Sequence, residues 1–206
     1  MSCWAVVAIN TRLRRKGRLR GALDAADREL LARRMLDTVL AAAERARSIA
    51  HVLIVSPDEQ GLPERYQVLH DTGAGLNDAF ELALARGRGG QAREFVLLPA
   101  DLPQLAAADI DALVRAGRRA QIGIAPDRRG TGTNGLYLDA RLDFRCRFGA
   151  ASRVRHETEA RRLGIEPAIV IRPGLASDLD TPADLRSLGR RAAGCAGTVV
   201  CAERPA

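Results

Sequence analysis

Two short segments place carboxylates where they could bind a metal ion. Asp101 stands in the sequence Pro-Ala-Asp-Leu-Pro after an apolar run, and the two prolines stiffen its turn. Asp178 and Asp180 lie two residues apart in Asp-Leu-Asp-Thr-Pro. Carboxylate oxygens are hard ligands that suit Mg²⁺. Each segment also has a simpler interpretation, because Asp101 or Thr181 could cap the helix that follows it.

A basic segment holds most of the excess charge. The chain has 206 residues and a net charge of +7, and six of its 32 Lys and Arg residues lie within 10–20, which contain no acid. These six are Arg12, Arg14, Arg15, Lys16, Arg18 and Arg20. Such a loop suits a polyphosphate, and from its position alone a solvated basic loop or an electrostatic nucleic-acid contact is an equal alternative. Only 3% of the residues are aromatic, which counts against a base-stacking surface.

Two glycine-containing segments could bind anions through their backbones. In 71–77, Gly73 and Gly75 precede an amphipathic helix, whose N-terminus favours negative charge. In 125–134, two glycines alternate with threonines that include Thr133, giving hydroxyl and N–H donors. A plain turn and a long hairpin turn, respectively, remain alternatives for these two segments.

The start of a later helix combines several cationic side chains. Ser152 is predicted to open this helix, and its first turn carries Arg153, Arg155 and His156. Cations are unfavourable at a helix N-terminus, so a bound anion would explain them. Taken alone, His156 is more often a surface histidine than a catalytic one.

The remaining composition indicates a folded protein with neither a disulfide framework nor a zinc site. Hydrophobic residues make up 47% of the chain, which is enough for a core. The four cysteines form no Cys-x-x-Cys pair and have no histidine at metal-binding spacing. No signal peptide or run of membrane-spanning length is visible, so we expect a cytoplasmic protein with no membrane partner.

Apolar runs alternate with amphipathic segments along the chain. Seven runs are predicted strands: Trp4–Ile9, His51–Val55, Gln67–Leu69, Phe95–Leu98, Ile122–Ala125, Gly135–Leu138 and Ala168–Ile171. The alternation predicts an α/β fold with a mostly parallel sheet and helices on both faces. Ligands in such sheets bind at the carboxyl ends of strands, where the segments described above lie. We interpret 1–193 as a single domain and 194–206 as a flexible tail.

Taken in order, these segments resemble the coenzyme F-420 guanylyltransferases. The matching stretches are Lys16–Leu19, Gly75–Asn77, Leu98–Pro103, Ala125–Asn134, Phe148–Gly149 with Ser152, and Asp178–Pro182. That family transfers GMP from GTP to a small phosphorylated three-carbon acid and releases pyrophosphate. Its fold is the Rossmann-like nucleotide-diphospho-sugar transferase sheet. The resemblance therefore implies a Mg²⁺-dependent guanylyltransferase of F-420 biosynthesis, and it also implies a homodimer.

The resemblance assigns roles to individual residues. Four would act in catalysis: Lys16, Arg18, Asp101 and Asp180. Three would be metal ligands: Asp101, Asp180 and Asp178. The phospho-acid would be bound by Thr133, Gly149 and Ser152. The nucleotide would be bound by Gly73, Gly75, Asn77 and Pro99.

Two departures from the family pattern affect the expectation of which phosphorylated acid is the acceptor. The first strand of typical members ends in Pro-Val-Lys, and this chain has Ala8, Ile9 and Asn10 there. The typical Lys-Ser-Arg-Leu is Lys16-Gly-Arg-Leu19. Family acceptors are 2-phospho-L-lactate, phosphoenolpyruvate and 3-phospho-D-glycerate. An arginine-rich chain of bacterial type that departs from the usual pattern favours 3-phospho-D-glycerate.

Two other functions stay open from the sequence. Nucleotidyltransferases of the molybdenum-cofactor type typically carry Leu-Ala-Gly-Gly after the first strand, where this chain has Ala8-Ile-Asn-Thr11. A nucleic-acid-binding module would use the basic loop 12–20 and would show salt-sensitive binding. The resemblance favours the guanylyltransferase and no nucleic-acid partner.

Overall fold

The computed structural model describes residues 2–9, 19, 21–179 and 181–186. Within this part of the chain, seven strands form one sheet in the order β3-β2-β1-β4-β6-β5-β7. Their bounds are β1 Cys3–Ala8, β2 His51–Ser56, β3 Gln67–His70, β4 Glu94–Pro99, β5 Ile122–Pro126, β6 Thr133–Asp139 and β7 Ala168–Ile169. The predicted α/β fold with a mostly parallel sheet is confirmed.

One strand departs from the parallel arrangement. β6 pairs antiparallel with β4 and with β5, whereas β1, β2, β3 and β4 are mutually parallel neighbours. Residues 127–132 join β5 to β6, and a parallel crossover needs a dozen or more residues. The hairpin interpretation of the glycine-containing segment 125–134 is therefore correct. Because β6 is reversed, its first residue lies at the same sheet edge as the last residue of β4.

The seventh strand is shorter than the sequence predicts. Instead of Ala168–Ile171, β7 contains only Ala168–Ile169, which pair with Gly123 and Ile124 of β5. Ile171 is 77% exposed. At this edge of the sheet, the apolar run therefore extends beyond the residues that pair with the neighbouring strand.

Helices cover both faces of the sheet, as predicted. Their bounds are α1 Ala25–Arg45, α2 Leu76–Arg88, α3 Ala107–Ala120, α4 Ser152–Arg162 and α5 Pro173–Ala176, and residues 182–186 are also helical. Asp24 caps α1, because its carboxylate accepts from the backbone N–H of Asp27 (2.8 Å). No helix among the described residues is long and apolar enough to span a bilayer.

The central strands bury both of their faces. Val7 and Leu98 belong to the core beneath α1 and α3, while their neighbours Val6 and Leu97 belong to the core beneath α2 and α4. This two-sided burial explains why the central strands are continuous apolar runs instead of alternating ones. The apolar sheet holds the loops at its carboxyl edge in fixed relative positions.

Candidate active site

The two acidic segments meet at the end of β4. The backbone N–H of Leu179 donates to the carbonyl of Asp101 (3.3 Å), which places Asp178 and Leu179 beside the loop that follows β4. Asp101 and Asp178 are both half-buried. Asp180, the other predicted metal ligand, lies outside the described residues. Segments 77 residues apart in sequence are thus joined at the predicted metal site.

A small apolar cluster attaches the end of the basic segment to the acidic one. Leu19, Met35 and Leu179 are buried together, and Leu19 and Leu179 have no exposed surface. Lys16 and Arg18, the predicted catalytic cations, lie outside the described residues, but Leu19 follows Arg18 directly in the chain. The cluster therefore connects the segment after β1 with the segment before the final helical turn.

The residue after Asp180 caps a helix. The Asp184 carboxylate accepts from the backbone N–H of Thr181 (2.8 Å) and from its hydroxyl (2.7 Å), and the Thr181 hydroxyl in turn accepts from the N–H of Asp184 (3.3 Å). Asp184 also pairs with Arg128 of the β5–β6 turn (2.6 Å). The capping interpretation of Thr181 is therefore correct, and it leaves the metal assignment of Asp178 and Asp180 untested. Among the described residues no three His, Cys, Asp or Glu side chains form a metal-binding group.

The three predicted phospho-acid residues lie around the start of α4. The N–H of Ser152 donates to the carbonyl of Gly149 (3.1 Å), and Ser152 is 2% exposed. Gly149 has φ of +115°, a conformation that favours glycine, and a Cβ at this position would contact nothing within 4 Å. Thr133 reaches the same helix through His156, with Oγ1 and Nδ1 2.9 Å apart.

His156 is buried, so the expectation of a surface histidine is wrong. Its ring is fully covered and packs edge-on against Phe148, with centroids 4.8 Å apart. Nε2 accepts from the backbone N–H of Arg147 (2.9 Å), which places the proton on Nδ1, so that Nδ1–H donates to the Thr133 hydroxyl. Burial lowers the pKa of His156 to about 4, so the ring is neutral near pH 7. The hydroxyl hydrogen of Thr133 is left to donate elsewhere.

Hydrogen bonds within the protein explain why Arg153 can lie at the start of α4. Arg153 Nε donates to Glu157 (2.8 Å), its Nη1 donates to the carbonyl of Gly130 (3.3 Å), and its backbone N–H donates to the carbonyl of Thr131 (3.1 Å). A bound anion is not needed to explain Arg153, in contrast to the sequence interpretation. The side chain instead fixes the β5–β6 turn against α4, which sets the position of Thr133.

The predicted nucleotide residues lie after β3 and at the end of β4. Asn77 holds the neighbouring loop, since its Nδ2 donates to the carbonyl of Phe148 (3.1 Å) and its Oδ1 accepts from the N–H of Phe148 (2.7 Å). Gly73 and Gly75 line a cleft beside the end of β1. Pro99 ends β4 opposite Ala8 of β1. The nucleotide contacts of these residues stay predictions, but Asn77 brings the segment with Gly73 and Gly75 next to the phospho-acid loop.

Two buried polar side chains were missed by the sequence interpretation. Asp71 Oδ1 and Asn134 Nδ2 are inaccessible, and neither has a hydrogen-bond partner in the described part of the chain. Asp71 is 7% exposed and Asn134 6% exposed. Asp71 begins the glycine-containing segment 71–77, and Asn134 ends the glycine-containing segment 125–134. Buried polar groups are normally satisfied, so such atoms at a ligand-binding edge indicate ligand contacts.

A wider groove lies elsewhere on the molecule. It is lined by Arg45, Arg47, Ser48, Ala107, Ala108, Asp111, Val114, Arg115, Arg118 and Arg119. The Asp111 carboxylate accepts from the backbone N–H groups of Arg47 (3.3 Å) and Ser48 (2.9 Å). None of the residues predicted to carry chemistry lines this groove, so the candidate active site remains the edge at the end of β4.

The sheet and the loops at its carboxyl edge define the class of protein, the nucleotide-diphospho-sugar transferase fold. A crystal structure of a putative nucleotide-diphospho-sugar transferase from Desulfovibrio desulfuricans superposes with a TM-score of 0.75 at 16% identity, over 95% of this chain and 90% of the other. The structure of CMP:2-keto-3-deoxy-manno-octonic acid synthetase complexed with CTP gives a TM-score of 0.58 at 14% identity, over 94% and 99%.

Within that class the chain belongs to the CofC-like guanylyl transferase family, whose model matches residues 3–191. A phosphoenolpyruvate guanylyltransferase of Sphaerobacter thermophilus is 38% identical over 93% of this chain and 95% of that protein. A 3-phospho-D-glycerate guanylyltransferase of Phenylobacterium zucineum is 34% identical over 90% of this chain and 89% of that protein. These matches confirm the resemblance to the F-420 guanylyltransferases.

Proposed function

We propose that this chain transfers GMP from GTP to a phosphorylated three-carbon acid, with Mg²⁺ as its cofactor and pyrophosphate as the second product. The observation that carries the proposal is the hydrogen bond between Leu179 and Asp101, which joins both acidic segments at the end of β4. The family match across residues 3–191 gives the reaction class. Molybdenum-cofactor and nucleic-acid-binding alternatives have no comparable support.

The reaction needs charge neutralisation more than proton transfer. The attacking group is a phosphate oxygen, which is already ionised near neutral pH because its second pKa is about 6. His156 is not needed as a base, and both of its ring nitrogens are already hydrogen-bonded. The main obstacle is the repulsion between two polyanions. Catalysis would therefore rest on positioning and on cationic groups around the α-phosphate.

Asp101, Asp178 and Asp180 are the residues that would hold the magnesium ion. Carboxylates at one edge of a sheet are the donor set that Mg²⁺ prefers, and Asp101 and Asp178 stand on the two joined segments. When bound, Mg²⁺ supplies charge stabilisation at the transferred phosphoryl group. Lys16 and Arg18 would complete the neutralisation of the triphosphate. Leu19, which follows Arg18 in the sequence, is buried with Leu179, and this packing supports the assignment.

The acceptor would lie at the start of α4. The Thr133 hydroxyl has a hydrogen available for a phosphate or carboxylate oxygen. Gly149 and Ser152 are joined by a backbone hydrogen bond in the loop that leads into α4. Phosphoenolpyruvate is the acceptor favoured by the names of relatives 35–38% identical, and 3-phospho-D-glycerate, expected from the sequence, is supported by the relative 34% identical.

A pyrophosphate-release assay tests the proposal. Purified protein is given GTP, ATP or CTP with phosphoenolpyruvate, 3-phospho-D-glycerate or 2-phospho-L-lactate, in the presence of Mg²⁺. We expect release with GTP and with at least one of the acids. If no pair gives pyrophosphate, the proposed reaction is wrong.

Asp101→Asn tests the metal assignment, with Asp143→Asn as the control at an exposed carboxylate. We expect Asp101→Asn to lower kcat more than about a hundredfold, because several kcal/mol of charge stabilisation are lost. Chelation by EDTA should have a similar effect that added Mg²⁺ reverses. Turnover of Asp101→Asn at the wild-type rate would contradict the assignment.

We also propose that the protein is a cytoplasmic homodimer without a nucleic-acid or membrane partner. The family resemblance supports the dimer, and sedimentation equilibrium measures it directly. A monomer at micromolar concentration would contradict this part of the proposal. Salt-sensitive DNA or RNA binding that survives Asp101→Asn and excess GTP–Mg²⁺ would instead favour the nucleic-acid alternative.

A further inference from the structure

Asp71 is a buried carboxylate with an unused acceptor. Its backbone N–H donates to the carbonyl of Ser56 at the end of β2 (3.2 Å), so the residue is fixed above the sheet edge. Only 7% of it is exposed, and in the described part of the chain its Oδ1 has no hydrogen-bond partner. Burying an acceptor of this kind without a donor is strongly unfavourable. A ligand that donates to it would remove this penalty.

Asp71 is one of the residues that line a narrow cleft, and the other lining residues carry no polar side chain. The lining residues are Ala8, Ile9, Asp71, Gly73, Gly75, Leu76 and Ala79. In this structure the cleft is too narrow to hold a water molecule, so binding requires its apolar walls to separate around a flat, mostly apolar group. A nucleobase has this character, whereas a ribose or a phosphate would leave most of its polar surface unsatisfied against such walls.

Hydrogen-bond donors lie beside this acceptor. Gly73 and Gly75 have φ of +70° and +143°, and a Cβ at Gly75 would contact nothing within 4 Å, so a ligand can approach the backbone there. The first N–H groups of α2 have no acceptor within the helix, and the N-cap Gly75 has no side chain to supply one. The cleft therefore offers a carboxylate acceptor and a turn of N–H donors.

We infer that Asp71 recognises the guanine base of GTP, a role that rests on the proposed function. Guanine presents N1–H and the 2-amino group as adjacent donors, which one carboxylate can accept together, and O6 and N7 as acceptors for N–H groups. Adenine presents a lone pair at N1 and cytosine one at N3, and a carboxylate repels both. Asp71 thereby selects GTP over ATP and CTP.

The sheet geometry separates this role from ribose binding. Neighbouring strands lie about 4.8 Å apart, and β2, to which Asp71 is bonded, is two strands from β4 in the sheet order. The ribose is attached to the α-phosphate and so stays close to the acidic residues after β4. The base is the part of the nucleotide that extends further along the sheet edge toward Asp71.

Replacing Asp71 with asparagine tests the inference through nucleotide selectivity. The wild-type protein and Asp71→Asn are assayed for pyrophosphate release with GTP, ITP, XTP and 2′-deoxy-GTP, each with the best acid. ITP lacks the 2-amino group, and XTP carries an oxygen in its place. Asp78→Asn is the matched control, because Asp78 is an exposed carboxylate in the first turn of α2, the helix that follows Asp71.

We expect the wild type to prefer GTP to ITP by about tenfold in kcat/KM, the equivalent of one charge-assisted hydrogen bond. Asp71→Asn should lower kcat/KM for GTP by about 10–100-fold and should reduce the GTP-to-ITP ratio to about one. It should also gain activity with XTP relative to GTP, because an amide can donate to the new oxygen while still accepting from N1–H. Asp78→Asn should keep the wild-type ratios.

Other outcomes would overturn the inference in distinguishable ways. Equal losses with all four nucleotides, together with a lower melting temperature, would make Asp71 a structural residue only. A change confined to the ratio of GTP to 2′-deoxy-GTP would place the ribose at the carboxylate. If the wild type transfers no nucleotide at all, the proposed reaction fails, and calorimetric binding of GTP, ITP and ATP to the wild type and Asp71→Asn tests base recognition separately.

Discussion

The Nδ1–H of His156 donates to the hydroxyl of Thr133 across 2.9 Å, deep beneath the start of α4. The tautomer is fixed by the backbone, because the N–H of Arg147 occupies Nε2 (2.9 Å). Because the neutral imidazole donates to the Thr133 oxygen, the hydroxyl hydrogen of Thr133 points away from the ring. The histidine is a positioning residue for the Thr133 hydroxyl, the donor that we propose for the acceptor substrate.

Removing the Thr133 hydroxyl should weaken acceptor binding. Thr133→Val keeps the shape of the side chain but leaves Nδ1–H of His156 buried without an acceptor, which costs about 1–3 kcal/mol of stability. We expect the KM for the acid to rise about tenfold or more, with the KM for GTP little changed. Steady-state kinetics with each substrate varied in turn measure this split. Thr133→Ser, which retains the hydroxyl, should stay near wild type, and an unchanged KM for the acid in Thr133→Val would remove Thr133 from the acceptor site.

His156 should make the stability of the protein depend on pH in a defined window. Its pKa is about 4 in the folded protein and about 6.5 when unfolded, so the unfolded chain binds a proton first as the pH falls. The contribution of neutral His156 is fully present above pH 6.5 and is lost progressively between pH 6.5 and 4, by about 3 kcal/mol in all.

Urea unfolding at pH 7.5, 6.5, 5.5 and 4.5 measures this loss. His156→Ala should be less stable at pH 7.5 and should show a flatter dependence across the same range. His51→Ala, at the partly exposed ring that contacts Gln67 (3.3 Å), is the control and should retain the wild-type slope. Parallel curves for the wild type and His156→Ala would show that another group causes the acid sensitivity.

The fold can be predicted from patterns in this single sequence. The candidate site can be predicted only in part. Continuous apolar runs reveal strands such as β1 and β4 because both of their faces are buried. The reversal of β6 depends on the short β5–β6 connection, and His156 looks like a surface residue because α4 is strongly polar overall. Asp71 and Asn134 show no local signal, since burial without a partner arises only from how distant segments pack.

Leu19 should couple the basic and acidic segments. Its side chain is buried with Met35 and Leu179, and truncation of a buried leucine costs about 2–5 kcal/mol. Here the loss falls on a small cluster that joins the two segments proposed to be catalytic, so Leu19→Ala should lower kcat about tenfold or more even where the protein is fully folded. Leu53→Ala, in the buried centre of β2, is the matched control.

The comparison depends on measuring kcat at a temperature where circular dichroism shows both variants to be folded. We expect Leu53→Ala to lower the melting temperature and leave kcat near wild type. If the two variants lose kcat equally, the Leu19 cluster has no special part in joining the segments.

Asn77 should couple nucleotide and acceptor binding, because it bonds to the backbone of Phe148 at both ends of its amide. Asn77→Ala would leave the N–H and the carbonyl of Phe148 without their partners and release the loop that leads to Gly149. We expect the KM values for GTP and for the acid to rise together and kcat/KM to fall by about 5–150-fold, since each of the two lost bonds is equivalent to about 0.5–1.5 kcal/mol. Asn77→Asp still accepts from the Phe148 N–H but cannot donate to its carbonyl, so it should show an intermediate loss. A change in only one KM would mean that Asn77 serves a single substrate and does not join the two loops.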